Sequence, residues 1–187
     1  MDTNKQKDLL RSKYRIIREK AAPIAEEAIF KQVELLIEEL ISLKSQEGFI
    51  CIYWPLPGEI DLRRLKTKYS SRLALPVCNQ NKQLSYHPWL EEPLGIDGCG
   101  IKAPTRERML SPKEISLLLV PALSIDIHGQ RLGYGGGYFD RLRIDPEWKA
   151  ITALAVLPKA CISKEDLPID SWDINFNGWV NEAGVYK

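Results

Sequence analysis

Four short apolar runs limit what this chain can fold into: residues 49–54, 72–77, 115–120 and 151–156. Each is nearly continuous, as in Ile115-Ser116-Leu117-Leu118-Leu119-Val120, and each is too short for a helix of ordinary length. A strand with one wet face alternates polar and apolar residues, whereas a strand covered on both faces does not. The four runs therefore read as strands of a buried, parallel sheet. Segments of helical character separate them. Residues 5–19 are polar, with apolar positions at Leu9, Leu10, Ile16 and Ile17. Pro23 suits the first turn of a second helix, which carries Ile24, Ala28, Ile29, Val33, Leu36, Ile37 and Leu40 at helical spacing. Residues 61–69 predict a short helix, 83–86 and 178–180 further strands, and 91–112 a long irregular loop. Strands alternating with helices predict an α/β layered fold with a largely parallel sheet.

The 187 residues suit one domain spanning 1–187, large enough for a proper core. Lys plus Arg total 26 and Asp plus Glu 25, so no global field draws the protein to nucleic acid or to a membrane surface. No apolar run approaches the ~20 residues needed to cross a bilayer. Cys51, Cys78, Cys99 and Cys161 form no CxxC pair. With no export signal at the N-terminus, they read as packing thiols in a reducing cytoplasm. His87 and His128 have no metal-ligand spacing and read as structural or solvent-facing.

Residues 129–141 read Gly-Gln-Arg-Leu-Gly-Tyr-Gly-Gly-Gly-Tyr-Phe-Asp-Arg, with five glycines in nine positions. Such a backbone can enter positive φ and approach a ligand closely. It lies between the 115–120 strand and a helix beginning near Tyr138. Strand, glycine loop and helix start together offer unpaired amides and a helix dipole to phosphate. A nucleotide phosphate site is expected here, with Arg131 and Arg141 to neutralise charge. Lys7 and Arg11 lie one helical turn apart, so one helix can present both.

The segment from Val120 to Arg141 resembles the 5-formyltetrahydrofolate cyclo-ligase family, also called methenyltetrahydrofolate synthetases. Its hallmark is G-x-R-L-G-x-G-x-G-Y-Y-D-R. Four weaker matches follow in order: Lys7–Arg11 resembles the family's K-x-x-L-R helix, and Tyr53–Asp61 its strand followed by E-[IV]-[DE]. Gly100–Pro104 resembles G-I-x-E-P, and Pro168–Asp173 resembles P-x-x-x-H-D. The chain departs from the family at Ala103 (usually Glu), Trp172 (His), Phe139 (the second Tyr) and Ala122 (Gly). Lys159-Ala160-Cys161 stands where a Gln is often found.

The resemblance implies a three-layer α/β/α fold related to sugar-phosphate isomerases and CoA-transferases. It also implies an ATP- and Mg²⁺-dependent conversion of 5-formyltetrahydrofolate to 5,10-methenyltetrahydrofolate, with release of ADP and phosphate. Lys7, Arg11 and the loop Arg131, Leu132, Gly133, Tyr134, Gly135, Gly136, Gly137, Tyr138 and Phe139 would hold ATP. Trp54, Glu59, Tyr134, Gly135, Gly136, Gly137 and Tyr138 would hold the folate. Arg131, Arg141 and Tyr138 would act on the transferring group, and Asp140 and Asp173 would bind Mg²⁺. A cytoplasmic monomer without nucleic-acid or membrane partners is expected. Two alternatives stay open: a folate- or nucleotide-binding protein without turnover, motivated by Ala103 and Trp172, and another ATP-dependent ligase on the same scaffold. Stacking of single-stranded RNA on the loop's tyrosine is a third reading, which the near-neutral charge opposes.

Overall fold

In a computed structural model describing residues 3–43, 48–90 and 93–187, strands from both halves of the chain build one sheet of seven. Its strands are β1 (Phe49–Cys51), β2 (Leu73–Cys78), β3 (Leu84–Pro88), β6 (Ile115–Pro121), β9 (Ala153–Val156), β10 (Gly178–Asn181) and β11 (Gly184–Tyr186). The order is β11-β10-β9-β6-β1-β2-β3. The five inner strands are parallel, and β3 and β11 close the edges antiparallel. Two small hairpins stand outside this sheet: β4 (Gly95–Ile96) with β5 (Lys102–Ala103), and β7 (Ser124–Ile125) with β8 (Arg131–Leu132). Among the described residues, four α-helices and three short 3₁₀ turns complete the set, the α-helices being α1 (Thr3–Ser42), α2 (Lys66–Tyr69), α3 (Tyr138–Arg143) and α4 (Pro146–Ala150).

The buried runs work as their composition implies. Ile50, Ile52, Leu73, Leu75, Leu117, Leu119, Leu154 and Val156 face one layer, which the second half of α1 covers with Ile29, Val33, Leu36 and Ile37. The intervening Cys51, Ala74, Leu118, Val120, Ala153 and Ala155 face the other layer, with Trp148 of α4, Leu132 and Phe176. Alternate residues thus serve two cores, giving the three-layer α/β arrangement.

Several expectations are corrected. The two N-terminal helices are one helix of 40 residues, with Pro23 inside it. Proline lacks the N–H that would reach the Glu19 carbonyl. However, Pro23 is exposed, and the inward stripe Lys7, Tyr14, Arg18, Ala22, Ala25, Ile29, Val33, Leu36 runs through it in phase. Packing therefore overrides the break. Leu9, Ile16 and Ile24 lie on the outer surface. The strand at 49–54 ends at Cys51, although the Ile52 amide still bonds the Ala74 carbonyl at 3.0 Å. The expected strand at 178–180 is β10; its antiparallel partner β11 and the helix α4 were not foreseen, and the long loop carries the β4–β5 hairpin. Residues 44–47, Glu91 and Glu92 lie outside the described residues. Cys78 and Cys99, expected as packing thiols, are joined in a disulfide, whereas Cys51 and Cys161 are free and buried.

Candidate active site

From β1 the chain passes to β2 on one side, and β6 returns to lie on the other. In open parallel sheets a crevice forms outside the strand C-termini at such a reversal. Two segments enter it: Ile52–Asp61, leaving β1, and the stretch beyond β6 that becomes the glycine loop. The β7–β8 hairpin separates β6 from that loop, an insertion the simple strand–loop–helix reading lacked. Its turn is fixed by Asp126, whose Oδ1 accepts the amides of His128 and Gln130 at 2.9 and 3.0 Å. The inward stripe of α1 supplies the third wall. Beyond Ala22 the stripe is core; before it, the same positions carry Lys7, Tyr14 and Arg18, with Arg11 in line.

Two cavities open in the crevice. The first, about 400 Å³, is polar and takes Lys7, Arg11, Asp140, Arg141, Asp170 and Asp173 into its lining. The second, about 240 Å³, is mainly apolar and takes Tyr53, Trp54, Leu56, Glu59, Tyr138 and Phe139. Arg131, Tyr134, Gly136 and Gly137 line both, so the glycine loop is the wall between them.

Glycine is required where the loop meets the arginines. Gly135 and Gly137 have φ of +94° and +64°. A Cβ on Gly137 would come within 2.8 Å of Arg141 Nη1, and one on Gly133 within 2.8 Å of Arg131 Nη1. Arg11 Nε donates to the Gly133 carbonyl at 3.1 Å, and Arg141 Nη2 to the Gly136 carbonyl at 2.7 Å. Arginines thus take up the loop's carbonyls. Among the described residues, the amides of Gly133, Gly135, Gly136 and Gly137 meet no backbone acceptor. Because α3 has only six residues, the loop amides and arginines, rather than a helix dipole, give this site its positive potential.

Arg131 lies beneath the loop, its side chain 6% exposed. It is sandwiched between the rings of Phe139 and Phe176, each 5.2 Å away. Nη1 donates to the Pro121 carbonyl at 3.2 Å, Nη2 stands 3.8 Å from Asp140 Oδ2, and Nε has no hydrogen-bond partner among the described residues. Leu132 is buried in the core, so only its backbone can reach a ligand. Arg141, by contrast, is exposed, stacks on Tyr138 and ties the loop to the Lys82 carbonyl at 3.0 Å.

Lys7 is buried between two carboxylates, donating to Asp170 Oδ2 at 2.6 Å and to Asp173 Oδ2. Burial pulls its pKa down, but the hydrogen bonds and charges of Asp170 and Asp173 outweigh this and hold it above the ordinary lysine range. Asp173 Oδ2 also accepts from Gln130 Nε2 at 3.2 Å and the Asp170 amide at 2.9 Å. Its Oδ1 takes no donor among the described residues. The two carboxylates expected at a metal, Asp140 and Asp173, thus line the same polar cavity, each with oxygen to spare.

On the apolar side, Glu59 is 8% exposed. Oε2 accepts from the Leu56 amide at 2.8 Å and Oε1 from the Tyr134 hydroxyl. Burial raises the Glu59 pKa, against the opposing pull of Tyr134, the Leu56 amide, Arg18 and Arg131. Arg18 was not foreseen. It is 3% exposed, donates to the Tyr134 hydroxyl and to the Pro57 carbonyl (3.3 Å), and stands 3.8 Å from Glu59. Its position in the stripe after Lys7 and Arg11 is the sequence signal that marks it. Trp54, half-buried, lies edge-on to Trp89, with Arg63 at 4.7 Å and Lys102 at 5.4 Å from its ring. Ala103 is fully buried and lines neither cavity, while Trp172 stands on the polar one. Every expected residue lines the crevice, but Tyr138 and Phe139, expected at ATP, line only the apolar cavity, Gly135, expected also at folate, lines only the polar one, and Lys7 and Asp173 are engaged with each other.

Residues 3–181 match the family model described as the 5-formyltetrahydrofolate cyclo-ligase family. The 5-formyltetrahydrofolate cyclo-ligase of Escherichia coli K12 is 28% identical over 74% of this chain and 80% of its own length. That of Haemophilus influenzae is 27% identical over 93% of this chain and 96% of its own. Among solved structures, the 5,10-methenyltetrahydrofolate synthetase of Aquifex aeolicus superposes with a TM-score of 0.69 at 29% identity, covering 97% of this chain and 92% of that one. The Mycoplasma pneumoniae synthetase, at 17% identity and TM-score 0.67 over 97% and 99%, shares the fold. With a match spanning nearly its whole length, the chain belongs to the 5-formyltetrahydrofolate cyclo-ligase family.

Proposed function

We propose that this protein is a 5-formyltetrahydrofolate cyclo-ligase that uses Mg-ATP to make 5,10-methenyltetrahydrofolate, ADP and phosphate. The observation that carries the reading is the shared wall: a cavity lined by charged side chains and an apolar one meet at Arg131, Tyr134, Gly136 and Gly137. A reaction joining a phosphate donor to a flat, largely apolar acceptor needs such a pair of rooms.

The N5-formyl group is an amide, a poor electrophile with a poor leaving group. Its oxygen attacks the γ-phosphorus, ADP departs, and an imidate phosphate forms. N10 then attacks the formyl carbon, loses its proton, and phosphate leaves as the ring closes. Chain groups mainly position and neutralise. Amides of Gly133 to Gly137 cradle the phosphates, with Leu132 and Phe139 flanking them. Arg131 and Arg141 offset charge on the transferring group, and Lys7 and Arg11 reach the tail from α1. Glu59 accepts hydrogen bonds from the pterin, while Trp54 and Tyr138 supply flat walls. Asp140 and the Oδ1 of Asp173 would hold a Mg²⁺, which when bound would neutralise phosphate charge.

The reading includes a single domain acting as a cytoplasmic monomer. No described helix is long and apolar enough to cross a membrane. Ala103, buried away from both cavities, leaves their lining intact, which favours turnover over binding alone. The test is spectrophotometric: folded protein with Mg-ATP and 5-formyltetrahydrofolate should produce the methenyl chromophore and one ADP per product. Arg131→Ala and Asp140→Ala should each lose roughly 10²-fold in kcat. Absence of ATP-dependent product from folded protein overturns the proposal.

A further inference from the structure

The polar cavity contains one feature that phosphate binding does not use. Its side chains are charged or polar around most of the wall, yet Trp172 and Ile144 also line it, and each is 59% exposed. Neither belongs to either core, so packing does not account for them. What sets Trp172 apart is its place: a flat apolar ring face on the wall of a charged pocket, open to a ligand there.

The turn bearing Trp172 is rigid. The Asp173 amide bonds the Asp170 carbonyl at 3.0 Å, the Asp170 amide bonds Asp173 Oδ2 at 2.9 Å, and Lys7 grips both carboxylates. The ring is thus held out on a pinned backbone. Direction follows from the shared wall. A phosphoryl group passing to the apolar cavity must lie at Arg131, Tyr134, Gly136 and Gly137. The rest of its donor must extend away from that cavity, whose lining includes neither Ile144 nor Trp172.

We propose that Trp172, with Ile144 on the same cavity wall, is the stacking platform for the nucleotide's base. This rests on the nucleotide reading of the polar cavity and adds the residue that separates a nucleotide from a bare polyphosphate. A base offers a π-face to an indole whatever its edge carries, so the platform supplies affinity more than choice of base. Trp172 stands where the family usually has His, making it a feature of this chain.

Calorimetry with Mg-ATP and with Mg-tripolyphosphate on wild type, Trp172→Ala and Trp172→Phe tests this. Trp172→Ala should weaken ATP roughly tenfold and leave tripolyphosphate within about twofold, while Trp172→Phe should keep most ATP affinity. Unchanged ATP affinity in Trp172→Ala, or equal losses for both ligands, overturns the platform while leaving the phosphate site standing. Wild type that binds neither ligand overturns the nucleotide reading and the platform together.

Discussion

The Tyr134 hydroxyl donates to Oε1 of Glu59, so a residue of the glycine loop closes onto the carboxylate of the apolar cavity. Tyr134 is the strongest of the contacts that offset the effect of burial on Glu59. Tyr134→Phe should therefore favour the protonated acid and shift the acid limb of kcat/KM for folate to higher pH. A hydrogen bond to a charged group is worth ~1.5–3 kcal/mol, so folate KM should rise roughly 10- to 100-fold. Kinetics across pH check this; an unmoved limb separates Tyr134 from Glu59 ionisation.

Glu59 also affects stability. Its folded pKa lies above the unfolded value, so its stabilising contribution is complete below about pH 4 and is lost as pH rises through the folded pKa. Glu59→Gln does not titrate, and should gain on wild type as pH climbs from about 4 to 8. Urea unfolding across that range measures the difference. A gap that stays constant with pH contradicts the assignment.

Arg18 ties α1 to both cavities through Tyr134, Glu59 and the Pro57 carbonyl. Breaking a buried pair by removing one partner costs ~3–5 kcal/mol. Arg18→Met should lower kcat/KM for folate by at least ~30-fold, consistent with a loss above 2 kcal/mol. ATP affinity, measured by calorimetry, should change far less. Equal losses for both substrates count against a role centred on Glu59.

Gly137 occupies the left-handed region at φ +64°, with Arg141 packed against it. Gly137→Ala adds ~1–2 kcal/mol of backbone strain and pushes Arg141 off the Gly136 carbonyl. The melting temperature should fall by about 2–4 °C per kcal/mol, and ATP KM should rise. A variant with wild-type ATP KM shows that Arg141 does not brace the nucleotide site.

Pro23 is an exposed helix-interior proline, five residues beyond Arg18 and off the inward stripe. Pro23→Ala restores the amide to Glu19 and should stabilise by about 1–3 kcal/mol without changing kcat. Calorimetric melting tests it; destabilisation shows that α1 depends on the proline ring.

Much of the fold is legible because the central strands β6 and β9 bury both faces, and such runs are hard to mistake. The strands at 115–120 and 151–156 lie where composition places them. What composition hides is tertiary. Pro23 stops a helix locally, yet the stripe from Lys7 to Leu36 stays in phase across it. The Cys78–Cys99 disulfide depends on the β4–β5 hairpin folding back to β2, as when Asp97 Oδ2 accepts the Cys78 amide. Such a return leaves no local sequence signal. At the site, the glycine loop is readable because positive φ demands glycine. Arg18 is not, until one knows that its helix face points inward rather than to water.

The division of α1 at Ala22 carries a mechanical corollary. One half of this rod is clamped by Ile29, Val33 and Ile37; the other is held at the crevice by Tyr14 in the second core and by the bonds of Lys7, Arg11 and Arg18. A beam supported at both ends resists slack at either one. Thinning one support, for instance by Ile29→Val, should therefore cost ~0.5–1.5 kcal/mol of stability while leaving the ammonium and guanidinium groups in place.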